Sequence, residues 1–370
     1  MKRPTVCVTL IVKNEGHVIE RALASARKHF DAWAIVDTGS TDDTLEAICR
    51  ATEGWDGQLG QVEWTGFGDA RTESLRLAKE TGCDYAFVLD ADEFIEVPDD
   101  FVFPTDGKDL YNITMRLNGV EWPQSRMFRL ECGWRYEGVL HEFPVGERVK
   151  SAGHIPELGI GTKRDGARSK NPNKYRDDAV ALEAAIAEDP GNSRYVFYCG
   201  QSWRDAKDFE KAIAWYERRV EMGGARNTAE VVVALNEIAK AMHRLQKPVE
   251  AVRNAYLRAY AADPTRAEPL HGLAMLCREH KDFALAWHFA TLAAQKPQPT
   301  GLFVDSRVYS WLAKDELAIA LASLGRVEVA VKIVSDILKY PGLPETERAR
   351  ILGNLSVFTT HLRGESPKAG

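Results

Sequence analysis

The hydrophobic pattern of the chain changes once, near residue 161, and this change limits the folds available to it. Before that point, short apolar segments alternate with segments whose apolar residues recur at helical spacing, so strands are expected at 5–12, 32–39 and 83–92. Strands separated by helices predict a mainly parallel α/β sheet. The alternating apolar and polar residues of 109–138 predict antiparallel strands that extend this sheet.

After residue 161 the strand patterns disappear, and the chain is expected to be helical to about residue 362. A proline follows a helical segment at positions 190, 264, 297 and 341, at intervals of 74, 33 and 44 residues. Between them a small turn followed by an alanine-centred helix recurs, beginning at Lys207, Gln246, Lys281 and Gly325. Such two-helix units are typical of tetratricopeptide (TPR) repeats. The sequence therefore predicts an all-α, TPR-like domain with one concave surface left free.

A chain of 370 residues is too long for one ordinary core, and two or three domains are expected. The predicted division is an α/β domain at 1–160, a basic linker or loop at 161–176 and the repeat domain at 177–370. The segment 161–176 contains six Lys or Arg residues and one Asp, so its local charge is strongly positive.

Charge, cysteine usage and hydropathy exclude several classes of protein. The net charge of -6 argues against a general binder of polyanions, although it leaves room for a local basic groove. The six cysteines are scattered without a CxxC pair, which disfavours a zinc site or a disulfide framework. The apolar run at 6–12 is too short for a signal peptide or a membrane span, so a cytoplasmic protein is expected.

Three carboxylates, Asp90, Asp92 and Glu93, follow directly after the apolar strand 85–89. In an open α/β sheet, ligands bind beyond the carboxyl ends of the strands. Two carboxylates this close repel each other, and a divalent cation that also carries substrate phosphates relieves the repulsion. The sequence therefore predicts a site for Mn²⁺ or Mg²⁺ and a diphosphate at Asp90 and Asp92, with an exposed acidic turn as the alternative.

A second turn, VDTGSTDDT at 36–44, ends one strand and opens a helix. Gly39 and Ser40 are expected to form a tight turn with free backbone amides, and Asp37 could accept hydrogen bonds from a ribose or a base edge. The chain lacks G-x-G-x-x-G and the P-loop motif, which disfavours a dinucleotide fold and a P-loop enzyme. The alternative is an ordinary strand-to-helix turn with Asx capping.

Four motifs occur in a characteristic order, namely TLIVKNEGHVIERAL, AIVDTGSTDDT, DARTESLRLA and FVLDADE. Together they resemble the family 2 glycosyltransferases with a GT-A fold, over about residues 5 to 100 and more weakly to 145. The helical second half resembles the repeats that accompany this catalytic domain in a bacterial and viral subgroup. The peptide S-glycosyltransferases of the sublancin type share that arrangement.

The resemblance implies roles for individual residues. Asp37 would recognise the nucleotide, and Arg71 would approach the base or the diphosphate. Asp90 and Asp92 would be the D-x-D pair, with Asp92 as the direct metal ligand. This chain has Thr72 and Glu73 where the family often has Asn shortly after the arginine. The nucleotide pocket would also be lined by the residues at the end of the first strand, Lys13, Asn14 and Glu15.

The motif GVLHEF at 138–143 supplies the next candidates. A neutral imidazole can complete a metal shell, so His141 is the predicted third metal ligand, with a strand-capping histidine as the alternative. Inverting sugar transfer needs a carboxylate that takes the proton of the acceptor. Glu142 is the predicted catalytic base, and Glu93 and Glu137 are the substitutes for it.

Two further groups of residues could belong to the site. Arg168 and Lys170, in the basic segment, could neutralise the leaving diphosphate, and the alternative is a solvated hinge between domains. Trp122, Trp134 and Tyr136 could stack on an acceptor or could equally be core residues of the antiparallel strands.

These features predict a metal-dependent glycosyltransferase that uses a nucleotide-sugar donor, with a UDP-sugar favoured. Inversion at the sugar carbon is implied by the resemblance alone. The predicted acceptor is a peptide, a protein or a glycan, bound by the helical repeats, which could also form a homodimer. Three alternatives stay open: transfer to a hydroxymethylated base in phage-type DNA, nucleotidyl transfer, and a non-enzymatic TPR scaffold.

Overall fold

The structure is a computed structural model, and it describes residues 3–117, 120–223, 228–301 and 303–363. The chain divides into two compact units, Met1–Asp177 and Asp178–Gly370. The boundary places the predicted linker, 161–176, in the first unit. Each unit is described by itself.

The first unit is built on an eight-stranded sheet with the order β3-β2-β1-β4-β7-β6-β10-β5. Strands β1 to β4 are mutually parallel, β7 runs antiparallel to β4 and β6, and β8 and β9 form a separate antiparallel pair. The elements are β1 (Val6–Val12), α1 (Ile19–Arg27), β2 (Ala32–Asp37), α2 (Thr44–Thr52), β3 (Gly57–Gln61), α3 (Phe67–Glu80), β4 (Tyr85–Val88), β5 (Glu93–Glu96), β6 (Leu110–Leu117), β7 (Val120–Arg129), β8 (Trp134–Glu137), β9 (Phe143–Gly146) and β10 (Ala152–Thr162).

Helices cover both faces of the parallel strands. Side chains of α1 and α2 pack with Val8 and Leu10 on one face, and α3 packs with Cys7 and Val36 on the other. Strands buried on both faces need nearly continuous apolar sequence, which is why β1, β2 and β4 could be predicted. Strand β3 is the outermost strand on one side of the sheet. It was missed because its sequence, GQLGQ, is polar and its residues alternate between exposed and half-buried positions.

Every secondary-structure element described in the second unit is helical, and consecutive helices from α5 to α13 pack against each other. A π-helical turn, Val308–Leu312, leads into α11. The helices are α4 (Lys174–Glu188), α5 (Ser193–Asp205), α6 (Phe209–Glu221), α7 (Thr228–Arg244), α8 (Val249–Ala262), α9 (Glu268–Glu279), α10 (Phe283–Ala294), α11 (Ala313–Ser323), α12 (Val327–Ile337) and α13 (Glu345–Leu362), of which α4 begins in the first unit.

Four helix-to-helix turns share one backbone conformation. Each has a left-handed residue, with φ of 64°, 51°, 60° and 78°, at Lys207, Gln246, Lys281 and Gly325. In each turn the N–H of that residue donates to the carbonyl three residues earlier, and the next N–H donates to the carbonyl five residues earlier. This is the Schellman motif that ends a helix. The recurrence of one turn confirms the repeat pattern, and the predicted fold class, an α/β domain followed by TPR-like helices, is confirmed.

Within the described part of the chain, we find no helix that combines the length and the apolar character needed to cross a membrane.

The left-handed turns give a prediction about stability. Replacing Gly325 by Ala adds a Cβ where φ is 78°, and no neighbouring atom relieves or worsens the strain. We expect Gly325→Ala to lower the free energy of unfolding by about 1 kcal/mol. The matched control is Gly353→Ala, inside α13 and exposed, which should raise it by about 0.5 kcal/mol. Urea unfolding followed by circular dichroism tests both, and a loss of equal size in the two variants would contradict the assignment.

Candidate active site

The carboxyl ends of β1, β2 and β4 lie at one edge of the sheet because the three strands are parallel and adjacent. Asn14 and Glu15 follow β1, Asp37 ends β2, and Asp90 and Asp92 follow β4. The structure therefore brings together the strand-end residues that the sequence predicted, at the edge where α/β proteins bind ligands.

The loop after β1 is hydrogen-bonded to the turn after β2. The backbone N–H of Asn14 donates to Ser40 Oγ at 2.9 Å, and Asn14 Oδ1 accepts from the N–H of Thr41 at 2.8 Å. Asn14 has a φ of 58°, a conformation that asparagine tolerates better than most residues. Asn14 and Ser40 therefore fix the loop after β1 to the turn after β2. Lys13 is exposed.

Asp37 is buried, with 1% of its surface exposed. Its carboxylate accepts hydrogen bonds from the N–H groups of Gly39 and Ser40, at 3.2 Å each. The expectation of free amides at Gly39 and Ser40 was therefore wrong, because Asp37 occupies them in the form of an Asx turn. Contact between Asp37 and a nucleotide stays a prediction.

Asp90 is held by two guanidinium groups. Arg71 Nη2 lies 2.7 Å from Asp90 Oδ1, and Arg126 Nη2 lies 3.7 Å from Asp90 Oδ2. Burial alone would raise the pKa of Asp90, but the charges of Arg71 and Arg126 outweigh it and lower the pKa to about 2. Asp90 is therefore an ionised carboxylate at neutral pH.

Arg126, a residue that the sequence analysis did not single out, is buried beneath Asp90 and pairs with Glu93 at 2.8 Å. Glu93 also accepts the N–H of Asp90 at 2.8 Å, so its carboxylate supports the backbone of the D-x-D segment. Burial raises the pKa of Glu93 to about 7, against the opposing charge of Arg126. Both carboxylate oxygens of Glu93 are therefore engaged within the site, and its role as a substitute for the catalytic base stays a prediction.

Arg71 joins three parts of the site. Besides Asp90, it donates from Nε to Glu142 Oε1 at 2.7 Å, and its guanidinium lies 5.8 Å from the ring centre of Tyr136. The hydroxyl of the neighbouring Thr72 accepts a hydrogen bond from the backbone N–H of Tyr136 at 2.9 Å. Helix α3 therefore anchors the segment that contains Glu142 beside the D-x-D pair.

His141 precedes Glu142 in the chain. It is exposed, on a turn where its own φ is 53°. Among the residues that the structure describes, no three His, Cys, Asp or Glu side chains are close enough to hold a metal ion. The predicted ligand set of Asp90, Asp92 and His141 is thus not assembled in this conformation.

Asp92 lies beside Glu15 and the returning chain at Gly166. A Cβ added at Gly166 would be 3.3 Å from Asp92 Cβ and 3.2 Å from Glu15 Oε2. Burial, followed by the charge of Asp90, raises the pKa of Asp92. Burial also raises the pKa of Glu15, opposed by a hydrogen bond from Ala167 N–H and reinforced by the charge of Asp92. Negative charge is therefore crowded at this end of the site.

The basic segment folds back onto this edge. Asp165 receives two hydrogen bonds from Arg21, at 2.8 and 2.6 Å, and the N–H of Lys163 donates to the carbonyl of Asp92. A short 3-10 helix, Ala167–Lys170, carries the two predicted phosphate-binding residues. The guanidinium of Arg168 lies 4.5 Å from the ring centre of Phe67, at the start of α3, and Lys170 is exposed.

The aromatic candidates divide into two groups. Trp134 and Tyr136 pack against Phe128 at ring distances of 4.9 and 6.2 Å, as core residues do. Trp122, by contrast, is 37% exposed.

Glu137, the other substitute for the catalytic base, forms an ion pair with Arg135 at 2.5 Å on strand β8.

Sequence patterns gave little warning of the residues that support the site. Arg126 lies on β7, whose neighbour Met127 pairs with Phe87 of β4. No sequence pattern connects Arg126 with the D-x-D segment, because only the sheet order places β7 next to β4. Arg21 and Asp165 are 144 residues apart, so only the fold shows that they pair.

Residues 7–100 match the family model named Glycosyl transferase family 2. The match contains Glu15, Asp37, Arg71 and both D-x-D carboxylates, and it ends before the segments that hold Arg126, Glu142 and Asp165. It supports glycosyltransferase activity in general. No curated protein matches the chain.

Several solved structures are distantly similar to this chain. They include a crystal structure of MamA protein (17% identity, TM-score 0.36, 45% of this chain and 82% of that chain). They also include YrrB, described as a TPR protein with an unusual peptide-binding site (14% identity, TM-score 0.38, 50% of this chain and 85% of that chain). A third is the APC/C hetero-tetramer Cut9–Hcn1 (14% identity, TM-score 0.41, 52% of this chain and 34% of that chain). Similarity at this level bears on neither activity nor ligand.

The buried pair beneath the D-x-D segment gives a second prediction. Arg126→Met removes the buried cation that pairs with Glu93 and supports the ionised Asp90, so we expect a loss of about 3–5 kcal/mol in the free energy of unfolding. The control is Arg135→Met, which breaks a surface pair whose side chains are 49% and 44% exposed. That loss should stay below about 1 kcal/mol.

The double variant Arg126→Met, Glu93→Gln should regain most of the loss, because it removes both buried charges and keeps an acceptor for the N–H of Asp90. Urea unfolding of the full chain measures all three variants. Equal losses in Arg126→Met and Arg135→Met would show that the buried ion pair contributes no more to the free energy of unfolding than the surface pair does.

Proposed function

We propose that the first unit is a metal-dependent glycosyltransferase that transfers a sugar from a nucleotide-sugar donor, favouring a UDP-sugar, to a macromolecular acceptor. The observation that carries the proposal is the meeting of Glu15, Asp37 and the D-x-D pair at one sheet edge, inside the segment that matches the family 2 model. Inversion at the sugar carbon is carried over from the family resemblance.

The crowding of negative charge supports a divalent cation. Asp90 is already paired with Arg71 and Arg126, so Asp92 is the carboxylate with most to gain from a cation. Its pKa is raised by burial and by Asp90, and the pKa of Glu15 is raised in the same way by burial and by Asp92. Mg²⁺ and Mn²⁺ are commonly bound by one or two carboxylates together with substrate phosphates.

The residues present therefore fit such an ion, with Asp92 as the ligand from the chain and Glu15 next to it. When bound, the ion would supply positive charge that stabilises the departing diphosphate. His141 is not required for this arrangement, because phosphate oxygens can complete the shell. The third-ligand role of His141 stays a prediction.

The remaining side chains orient the reactants. Arg71 fixes Asp90 and Glu142 relative to each other, so the carboxylate of Glu142 is held beside the D-x-D segment. Glu142 is 13% exposed, and we propose it as the carboxylate that takes the proton of an acceptor. Arg168, above Phe67, and Lys170 add positive charge at the edge where the diphosphate would leave.

The test is hydrolysis of a panel of nucleotide sugars with Mn²⁺ and with Mg²⁺. We expect slow release of nucleotide diphosphate from one or two donors, reduced by about 100-fold or more in Asp92→Asn. The control, Asp99→Asn, makes the same change at a side chain that is 96% exposed and should keep wild-type turnover.

A readout without turnover is thermal unfolding in the presence of UDP. UDP should raise the unfolding temperature of the wild type and of Asp99→Asn only when Mn²⁺ is present, because the ligand stabilises the state that binds it. Asp92→Asn should lose this effect. Turnover that survives in Asp92→Asn, or stabilisation by UDP that ignores the metal, would reject the metal-dependent mechanism.

A further inference from the structure

One face of helix α1 contacts the D-x-D segment and the strand that follows it. Arg21 and Ser25 lie on this face because they are four residues apart, about one helical turn. Nη2 of Arg21 donates to the backbone carbonyl of Asp92 at 3.3 Å. The hydroxyl of Ser25 accepts the N–H of Ile95, in β5, at 3.0 Å. Helix α1 therefore fixes the backbone on the far side of Asp92 as well as at Asp92 itself.

Helix α1 is a firm support for these contacts. Its apolar side chains are fully buried in the core of the first unit, namely Ile19, Ala22, Leu23 and Ala26. Protein interiors are close-packed, so a helix that is buried along one side cannot shift without losing many contacts. Arg21 therefore reaches the site from a fixed base.

The same guanidinium binds the segment that returns after β10. Nη1 and Nη2 of Arg21 donate to the two carboxylate oxygens of Asp165, at 2.8 and 2.6 Å. Arginine is suited to such two-pronged pairing with a carboxylate. The hydrogen bonds from Arg21 lower the pKa of Asp165, so the pair is ionised at neutral pH. One side chain thus joins the D-x-D segment to the returning segment.

The returning segment lies directly against Asp92. It begins where β10 pairs with β5, and the N–H of Lys163 donates to the carbonyl of Asp92 at 3.3 Å. At Gly166 an added Cβ would lie 3.3 Å from Asp92 Cβ. The carbonyl of Asp92 therefore accepts from both Arg21 and the returning segment, and the Asp92 side chain packs beside that segment.

The charge of Arg21 by itself opposes a metal ion at Asp92. The hydrogen bond to Asp165, and further the charge of Asp92, raise the pKa of Arg21, so the guanidinium is close enough to repel a cation bound there. Loss of this charge alone would strengthen metal binding, whereas loss of contacts that orient Asp92 would weaken it. The direction of the change therefore distinguishes the two roles.

We propose that Arg21 is a positioning residue, which fixes the backbone of Asp92 and the segment 163–167 against α1 and so holds the Asp92 carboxylate in the orientation that binds a divalent cation. The fixing of the segment concerns the protein without ligands. The effect on the cation rests on the proposed function, and the two statements are tested separately.

The test variants are Arg21→Met, which removes the guanidinium, and Arg21→Lys, which keeps the charge but not the fork of donors. The matched control is Arg50→Met, which breaks a pair with Glu20 of the same helix, at side chains that are 59% and 52% exposed. Thermal unfolding of the full chain with UDP is followed as Mn²⁺ is raised. Each variant is compared with its own unfolding temperature without metal, so a general loss of stability is not counted.

We expect the wild type and Arg50→Met to reach half-maximal stabilisation at the same Mn²⁺ concentration. Arg21→Met should need at least about tenfold more, because residues that orient a metal ligand commonly change metal affinity by about 10–100-fold when replaced. Arg21→Lys should stay closer to Arg21→Met than to the wild type. An unchanged or lower Mn²⁺ requirement in Arg21→Met would overturn the proposal, as would full recovery in Arg21→Lys.

Hydrogen exchange tests the fixing of the segment without metal or substrate. The N–H groups of Lys163 and Ala167 donate to Asp92 and Glu15, so both should exchange at least about fivefold faster in Arg21→Met than in the wild type. The amides of β2 serve as an internal reference and should not change. Wild-type exchange at both test amides would overturn this part of the proposal.

The wild type alone decides the proposed function. If it shows neither nucleotide-sugar hydrolysis nor Mn²⁺-dependent stabilisation by UDP, the proposed function fails and the cation role of Arg21 fails with it, while faster exchange in Arg21→Met would still support the fixing of the segment. If the wild type shows both and Arg21→Met keeps the wild-type Mn²⁺ requirement, only the positioning role is rejected.

Discussion

The contact on which the candidate site depends is the bridge that Arg71 makes between Asp90 and Glu142. One guanidinium on α3 fixes a strand-end carboxylate and a carboxylate from a loop that lies far along the chain. A planar group with donors in fixed directions can satisfy two acceptors at once, which a lysine cannot do in the same way. The fit of the site therefore depends on arginine at this position rather than on positive charge alone.

The charged side chains around this bridge form two groups. The buried pair of Arg126 and Glu93 lies beneath Asp90, and the half-buried Asp92 and Glu15 lie toward the open side of the site. Arg126 supplies the counter-charge in the first group, whereas in the second group burial and the charge of a neighbouring carboxylate raise the pKa values of Asp92 and Glu15. The proposed cation would lie beside this second group, at Asp92.

The sequence was informative where a local pattern determines structure. Apolar runs revealed β1, β2 and β4, and the recurring turns at Lys207, Gln246 and Lys281 revealed the repeats, because Schellman turns form from adjacent residues. It was uninformative where partners are distant in the chain. The polar edge strand β3, the buried Arg126 and the hydrogen bonds that occupy the amides of Gly39 and Ser40 all depend on tertiary context.

The return of the segment 163–170 to the carboxyl ends of the parallel strands determines how far the first unit extends along the chain. Arg21 donates to the carboxylate of Asp165, and Glu15 accepts a hydrogen bond from the N–H of Ala167. These two contacts tie the segment 163–170 to the loop and helix that follow β1. A fragment that stops at residue 160 would keep every residue of the family match yet lose these hydrogen bonds. The compact first unit accordingly extends beyond them, to Asp177.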